Sequence, residues 1–164
     1  MDWQLELILA GRLLGATLLG ALVGWEREQH GTDAGVRTHM AVALGACLFS
    51  LISANVPGAD PSRIASQIVV GIGFIGAGVI MYQRGQVAGL TTAAALWATS
   101  AIGMAIAYGM YVLATTAALS VYALLALPRL KAWNRLFPKQ GGRLQYRRAQ
   151  QTRKAQSFND IQHR

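Results

Sequence analysis

The side chains that could do chemistry fall into two groups. Arg12, Asp60, Arg63 and Gln67 are polar residues inside or beside long apolar runs. Glu26, Glu28, Asp33, Arg37 and His39 crowd, with Arg27, into the stretch WEREQHGTDAGVRTH. A charged group in lipid is costly unless it is paired or hydrated. Arg12 therefore pairs with Asp60, bonds backbone carbonyls of a neighbouring loop, or snorkels to lipid phosphate. Glu26, Glu28 and Asp33 offer carboxylate oxygens, the ligands a hard cation such as Mg2+ prefers. The competing reading pairs Glu26 and Glu28 with Arg27 and Arg37, which would simply set the shape of the loop. His30, His39 and His163 do not repeat at zinc-ligand spacing. No Ser-His-Asp or Cys-His arrangement is suggested by spacing. The single cysteine, Cys47, lies in an apolar run and reads as a packing residue. Scattered hydroxyls, Thr91, Thr92, Thr99, Ser100, Thr115 and Thr116, read as bonded to backbone rather than catalytic.

The elements that must position these groups centre on DPSRIASQIVVGIGFIGAGVIMY, residues 60–82. Gly71, Gly73, Gly76 and Gly78 lie in its second half. Each would weaken an isolated helix in water by about 1 kcal/mol. In lipid, small residues let helix backbones approach closely. The expectation is a central, tightly packed helix, with Gly20 and Gly24 forming a similar face earlier in the chain. The run Gly71-Ile72-Gly73-Phe74-Ile75-Gly76 also spells G-x-G-x-x-G. That motif binds dinucleotides only between a strand and a helix, with an acidic residue about twenty positions on. No acidic residue occurs between Asp60 and Asp160, so the motif carries no nucleotide site.

Composition agrees with a membrane protein. Hydrophobic residues make up 53% and charged residues 13%, against about 25% charged in average globular chains. Apolar segments fall at residues 5–24, 38–54, 63–82, 90–107 and 110–127. A twenty-residue helix rises about 30 Å, the hydrocarbon thickness. The charge-free run from Gln86 to Leu127 is too long for one crossing and must turn near Tyr108-Gly109. The fold class is all-α: a polytopic bundle of about five transmembrane helices over residues 1–127. A basic juxtamembrane tail follows at 128–164. The start, MDWQLEL, lacks the basic opening of a secretory signal, so the first segment is expected to be retained.

Of the 15 Lys and Arg residues, ten follow Leu127. Arg27, Arg37 and Arg84 fall on the same side as that tail. The positive-inside rule then places the N-terminus outside and the C-terminus in the cytoplasm. Leu130, Trp133, Leu136 and Phe137 form an apolar stripe suited to a helix on an anionic lipid surface. The expected partners are the bilayer and its anionic lipids, a membrane protein or a second copy of this chain. No nucleic acid is expected.

Three stretches together resemble the MgtC/SapB family of bacterial inner-membrane proteins: GALVGWEREQHGTDAGVRTHMAVALGA, DPSRIASQIVVGIGFIGAGVIM and GLTTAAALWATSAIGMAIAYG. The resemblance implies a five-helix transmembrane domain and a link to adaptation to low magnesium. In pathogens it implies a link to survival inside macrophages. It also implies regulation of other membrane proteins, the ATP synthase among them. Longer members carry a folded cytoplasmic domain after the helices. The basic stretch here is too short for one.

Two functions follow. One is a non-enzymatic membrane regulator that works by helix packing. The other is a small transporter or channel for Mg2+ or another ion, with Arg12, Asp60 and the Glu26–Arg37 loop at its mouths. A transporter needs a polar path through the midplane, and the helix centres offer little beyond Gln67, hydroxyls and glycines. That scarcity favours the regulator. No G-x-x-x-x-G-K-[ST] loop is present for ATP hydrolysis. No enzyme activity and no cofactor are expected, with Mg2+ left open as a ligand.

Overall fold

A computed structural model describes residues 3–57, 60–83 and 86–127. The chain divides into two compact units, Met1–Leu127 and Pro128–Arg164. The second unit lies outside the described residues, and with it the expected amphipathic stripe of the tail.

The first unit is helical. The helices are α1 (Trp3–Glu28), α2 (Val36–Asn55), α3 (Pro61–Val79), α4 (Leu90–Ala107) and α5 (Tyr111–Ala126). Four of them are long and apolar enough to cross a membrane. The fifth, with 16 residues, rises about 24 Å. Large apolar side chains cover the outside of the bundle: Phe74 is 85% exposed, Val112 83%, Leu18 69% and Leu14 67%. Water would not tolerate that surface on a monomer. Lipid does.

The ends of the helices follow local chemistry. Pro61 stands at the first position of α3, and the Asp60 carboxylate accepts the Ser62 N–H at 2.8 Å. This is a side-chain N-cap with Pro just inside it. At the end of α4, Gly109 takes φ +75°. Its N–H donates to the Ile106 carbonyl and the Met110 N–H to the Ala105 carbonyl. That pair of bonds is a Schellman stop, which needs a left-handed residue at the glycine position. It turns the chain at the expected Tyr108-Gly109 corner.

Three features differ from the sequence expectation. The helix α1 does not stop at residue 24 but runs through Trp25-Glu26-Arg27-Glu28. Glu26 and Arg27 are buried within the bundle with opposite charges 3.7 Å apart, so neither is left unpaired, and Glu28 is exposed. The third segment, expected as helix to residue 82, ends at Val79, and two short strands pair antiparallel beyond it, β1 (Met81–Gln83) with β2 (Gln86–Ala88).

Third, α3 is not the central, tightly packed helix. A Cβ added at Gly71, Gly73 or Gly78 would meet nothing within 4 Å, and at Gly76 only Ala93, at 3.6 Å or beyond. The centre is α4, which packs against all four other helices. Its buried side is Thr92, Ala95, Thr99, Gly103 and Ala107, with Leu96, Ser100, Ile102 and Ile106. Close backbone approach occurs elsewhere. A Cβ at Gly20 would lie 2.7 Å from the His39 carbonyl oxygen, and one at Gly24 would lie 2.7 Å from the Val36 Cα. At Gly103 it would collide with the Ala43 carbonyl. These three glycines let α1 and α4 press against α2.

Candidate functional site

Polar groups gather at three places. The first is Arg12. Its Nη1 donates to the Ala107 carbonyl at 2.7 Å and its Nε to the Tyr111 hydroxyl at 3.1 Å. Ala107 is the last residue of α4, so its carbonyl has no partner within the helix. It also stands at the negative end of the helix dipole, where a cation is favoured. Arg12 thus staples α1 to the α4–α5 turn through a backbone carbonyl. The Arg12–Asp60 pair is not formed: Arg12 spends its donors on Ala107 and Tyr111, while Asp60 caps α3. We expect Arg12→Ala to cost about 1.5–3 kcal/mol, the range for a hydrogen bond to a charged group. In double-mutant cycles its effect should couple to Tyr111→Phe and simply add to Asp60→Ala. Thermal unfolding in detergent reads both.

The second place is the junction of α1 and α2. Glu26 and Arg27 are buried, with Arg27 Nη1 3.7 Å from Glu26 Oε2. His39 is fully buried beside Gly24. Its Nδ1 lies 3.0 Å from the Gly35 carbonyl oxygen, and its Nε2 has no hydrogen-bond partner. Glu28 points elsewhere. Its Oε2 accepts the Val36 N–H at 2.8 Å, so a carboxylate from α1 caps the start of α2. Gly35 permits this, since a Cβ there would lie 2.7 Å from that oxygen.

The expected carboxylate trio does not assemble. Because α1 continues through Glu28, residues 26 and 28 face opposite sides of the helix. Asp33 and Arg37 are exposed. No group of three or more His, Cys, Asp or Glu positioned to hold a metal ion occurs among the described residues. The expected Glu28–Arg37 pairing is likewise replaced by the bond to Val36.

The third place lies between α2 and α3. A cavity of about 390 Å³ is lined by Ser53, Val56, Asp60, Arg63, Ile64 and Gln67. The structure thus brings Asp60, Arg63 and Gln67 together. Hydrogen bonding to Ser62 holds the Asp60 carboxyl below the usual carboxylate range. Ile64 and Gln67 also line a second, apolar groove of about 650 Å³ that runs on between the helices past Gly45 and Gly71. Ser100 of α4 reaches its floor.

Sequence reasoning missed Gly103, and also the buried Ser50 and Ser53. A signal for Gly103 was available: Thr92, Ala95, Thr99, Gly103 and Ala107 recur every three or four residues, one small-residue stripe. The hydroxyls of Thr99, Ser100, Thr115 and Thr116 donate to carbonyls of their own helices.

An apolar exterior, helices of membrane length and a core closed by small residues define a multi-pass α-helical membrane protein. The MgtC family model matches residues 13–133, and the chain belongs to that family. It is 43% identical over 130 residues to "Protein MgtC" of Brucella abortus, which covers 79% of this chain and 55% of that one. It is 50% identical over 99 residues to "Protein MgtC" of Salmonella typhimurium, 60% of this chain and 43% of that one. It is 47% identical over 109 residues to "Putative magnesium transporter YhiD" of Escherichia coli, 61% of this chain and 51% of that one. The chain therefore spans about half the length of the curated relatives it matches. No solved structure matches it.

Proposed function

We propose that this chain is a non-enzymatic protein of the bacterial inner membrane that serves magnesium homeostasis by regulating other membrane proteins through helix packing. One observation carries the reading. Of the four glycines of α3 only Gly76 has a neighbour within 4 Å, Ala93, while Gly73 and Gly78 face open space, beside a Phe74 that is 85% exposed. Small residues next to one large apolar knob suit the approach of another transmembrane helix. The basic residues set the orientation, with the N-terminus outside and the C-terminus in the cytoplasm, where the tail meets anionic lipid.

The second reading is a small Mg2+ carrier. What favours it is the placement of polar groups at both ends of α2, Glu26, Arg27 and His39 at one and Asp60 and Arg63 at the other. The name of the Escherichia coli relative points the same way.

Reconstitution into liposomes separates the two. Under the regulator reading, Mg2+ flux equals that of protein-free vesicles. A membrane-protein partner then co-purifies with the chain, and Gly73→Leu releases it without loss of fold. Mg2+ flux that Asp60→Ala abolishes in folded protein would overturn the regulator reading.

A further inference from the structure

We propose that the α2–α3 groove binds a single phospholipid whose head group carries both a phosphate and a primary ammonium, as phosphatidylethanolamine does. The inference does not rest on the regulator reading. It uses the face of α3 that carries Ile64, Gln67 and Gly71, whereas the variant that tests the regulator reading is at Gly73, on the opposite side of the helix.

The 390 Å³ head-group cavity and the 650 Å³ apolar groove share Ile64 and Gln67 as lining residues, so they form one continuous trough. Such volumes fall within the roughly 300–1,000 Å³ of small-molecule sites. Its shape is that of an amphiphile, polar at the end of α2 and apolar along Gly71 and Ile72. Acyl chains gain little by moving from lipid into an apolar groove, because lipid tails are as apolar as leucine. Discrimination must therefore come from the polar end.

That end holds one anion and one cation that do not neutralise each other. Asp60 and Arg63 form no ion pair, and Arg63 has no charged partner among the described residues. The Asp60 carboxylate accepts from the Ser62 N–H at Oδ1 and from the Ser62 side chain as well, and with about four lone-pair sites it still has acceptor capacity for a ligand. A guanidinium takes a phosphate through two parallel N–H bonds. A carboxylate takes a primary ammonium, which has three N–H donors. A choline head group has no N–H to give Asp60. A glycerol head group leaves Asp60 facing net negative charge. A head group with both charges satisfies both residues.

Native mass spectrometry of the delipidated full chain in detergent tests this. It is titrated with phosphatidylethanolamine, phosphatidylcholine and phosphatidylglycerol of identical acyl chains. We expect one ethanolamine lipid to bind about tenfold more tightly than either alternative, the factor for roughly one added charged hydrogen bond. Arg63→Gln and Asp60→Asn should each erase that preference. Asparagine caps helices as well as aspartate, so Asp60→Asn preserves α3. Gly71→Leu enters space with nothing within 4 Å. It should reduce binding of all three lipids while helicity and thermal stability hold. Equal binding of the three lipids overturns the proposal. So does a preference that survives Arg63→Gln in folded protein. Gly71→Leu changing only the oligomeric state would assign the groove to a second copy and overturn it as well.

Discussion

Gly103→Ala should destabilise the bundle by at least about 2 kcal/mol, within the range for an overpacked core. Gly73→Ala should instead leave stability unchanged or raise it, by up to about 1 kcal/mol. The chemistry of the two changes is the same, one methyl on one glycine in a helix. The surroundings differ. At Gly103 the new Cβ collides with the backbone carbonyl of Ala43, and the Ala43 Cα is 3.1 Å away. Backbone cannot rotate aside as a side chain can, so α2 and α4 must separate. Both helices belong to the core, and α4 touches every other helix, so the shift spreads through the bundle. At Gly73 nothing lies within 4 Å, and alanine only gains helix propensity. Gly20→Ala, which meets the His39 carbonyl and the Ala43 Cβ, should behave as Gly103→Ala does. Thermal unfolding in one detergent measures all three. Equal stability of Gly103→Ala and Gly73→Ala would refute the close packing of α2 on α4.

Glu26→Ala should cost about 3–5 kcal/mol, the loss expected when one member of a buried ion pair is removed. Arg27 is only 9% exposed, its Nε has no hydrogen-bond partner, and the nearest carboxylate is Glu26. Without Glu26 the guanidinium stays desolvated beside the buried His39, itself without a partner at Nε2. The double variant Glu26→Gln/Arg27→Gln removes both charges and should lose less than the two single changes combined. Additive losses would mean that the pair does not interact in the folded protein. By contrast, Asp33→Ala and Arg37→Ala change exposed positions of the same region and should stay within about 0.5 kcal/mol of the parent.

Much of the architecture is legible in the sequence alone. Helices α4 and α5 fall within a residue or so of their expected bounds, because Gly89 and Tyr108-Gly109 interrupt an otherwise charge-free run. The start of α3 was expected two residues late, at residue 63; the helix begins at Pro61, with Asp60 as its cap. The end of α1 was not legible. WERE looks like the beginning of a loop, yet the helix continues because its far face is covered by α2 and holds the charges. The same continuation separates Glu26 from Glu28 and dissolves the carboxylate trio. The role of Arg12 was half legible: a cation in an apolar run must find oxygen. Two candidate acceptors lay at the same end, and choosing between them required knowing that the packing of α1 brings Arg12 to the Ala107 carbonyl and the Tyr111 hydroxyl.

Hydropathy and charge along the chain suffice for the membrane class, the helix count and the corners, since the bilayer imposes those on each segment singly. Which glycines are covered, and by what, belongs to the folded arrangement alone. A missing side chain permits close approach from any direction, and α1, α3 and α4 all carry such positions. The assembled bundle uses Gly20, Gly24 and Gly103 for contact and leaves Gly71, Gly73 and Gly78 open, because contact is a property of pairs of helices.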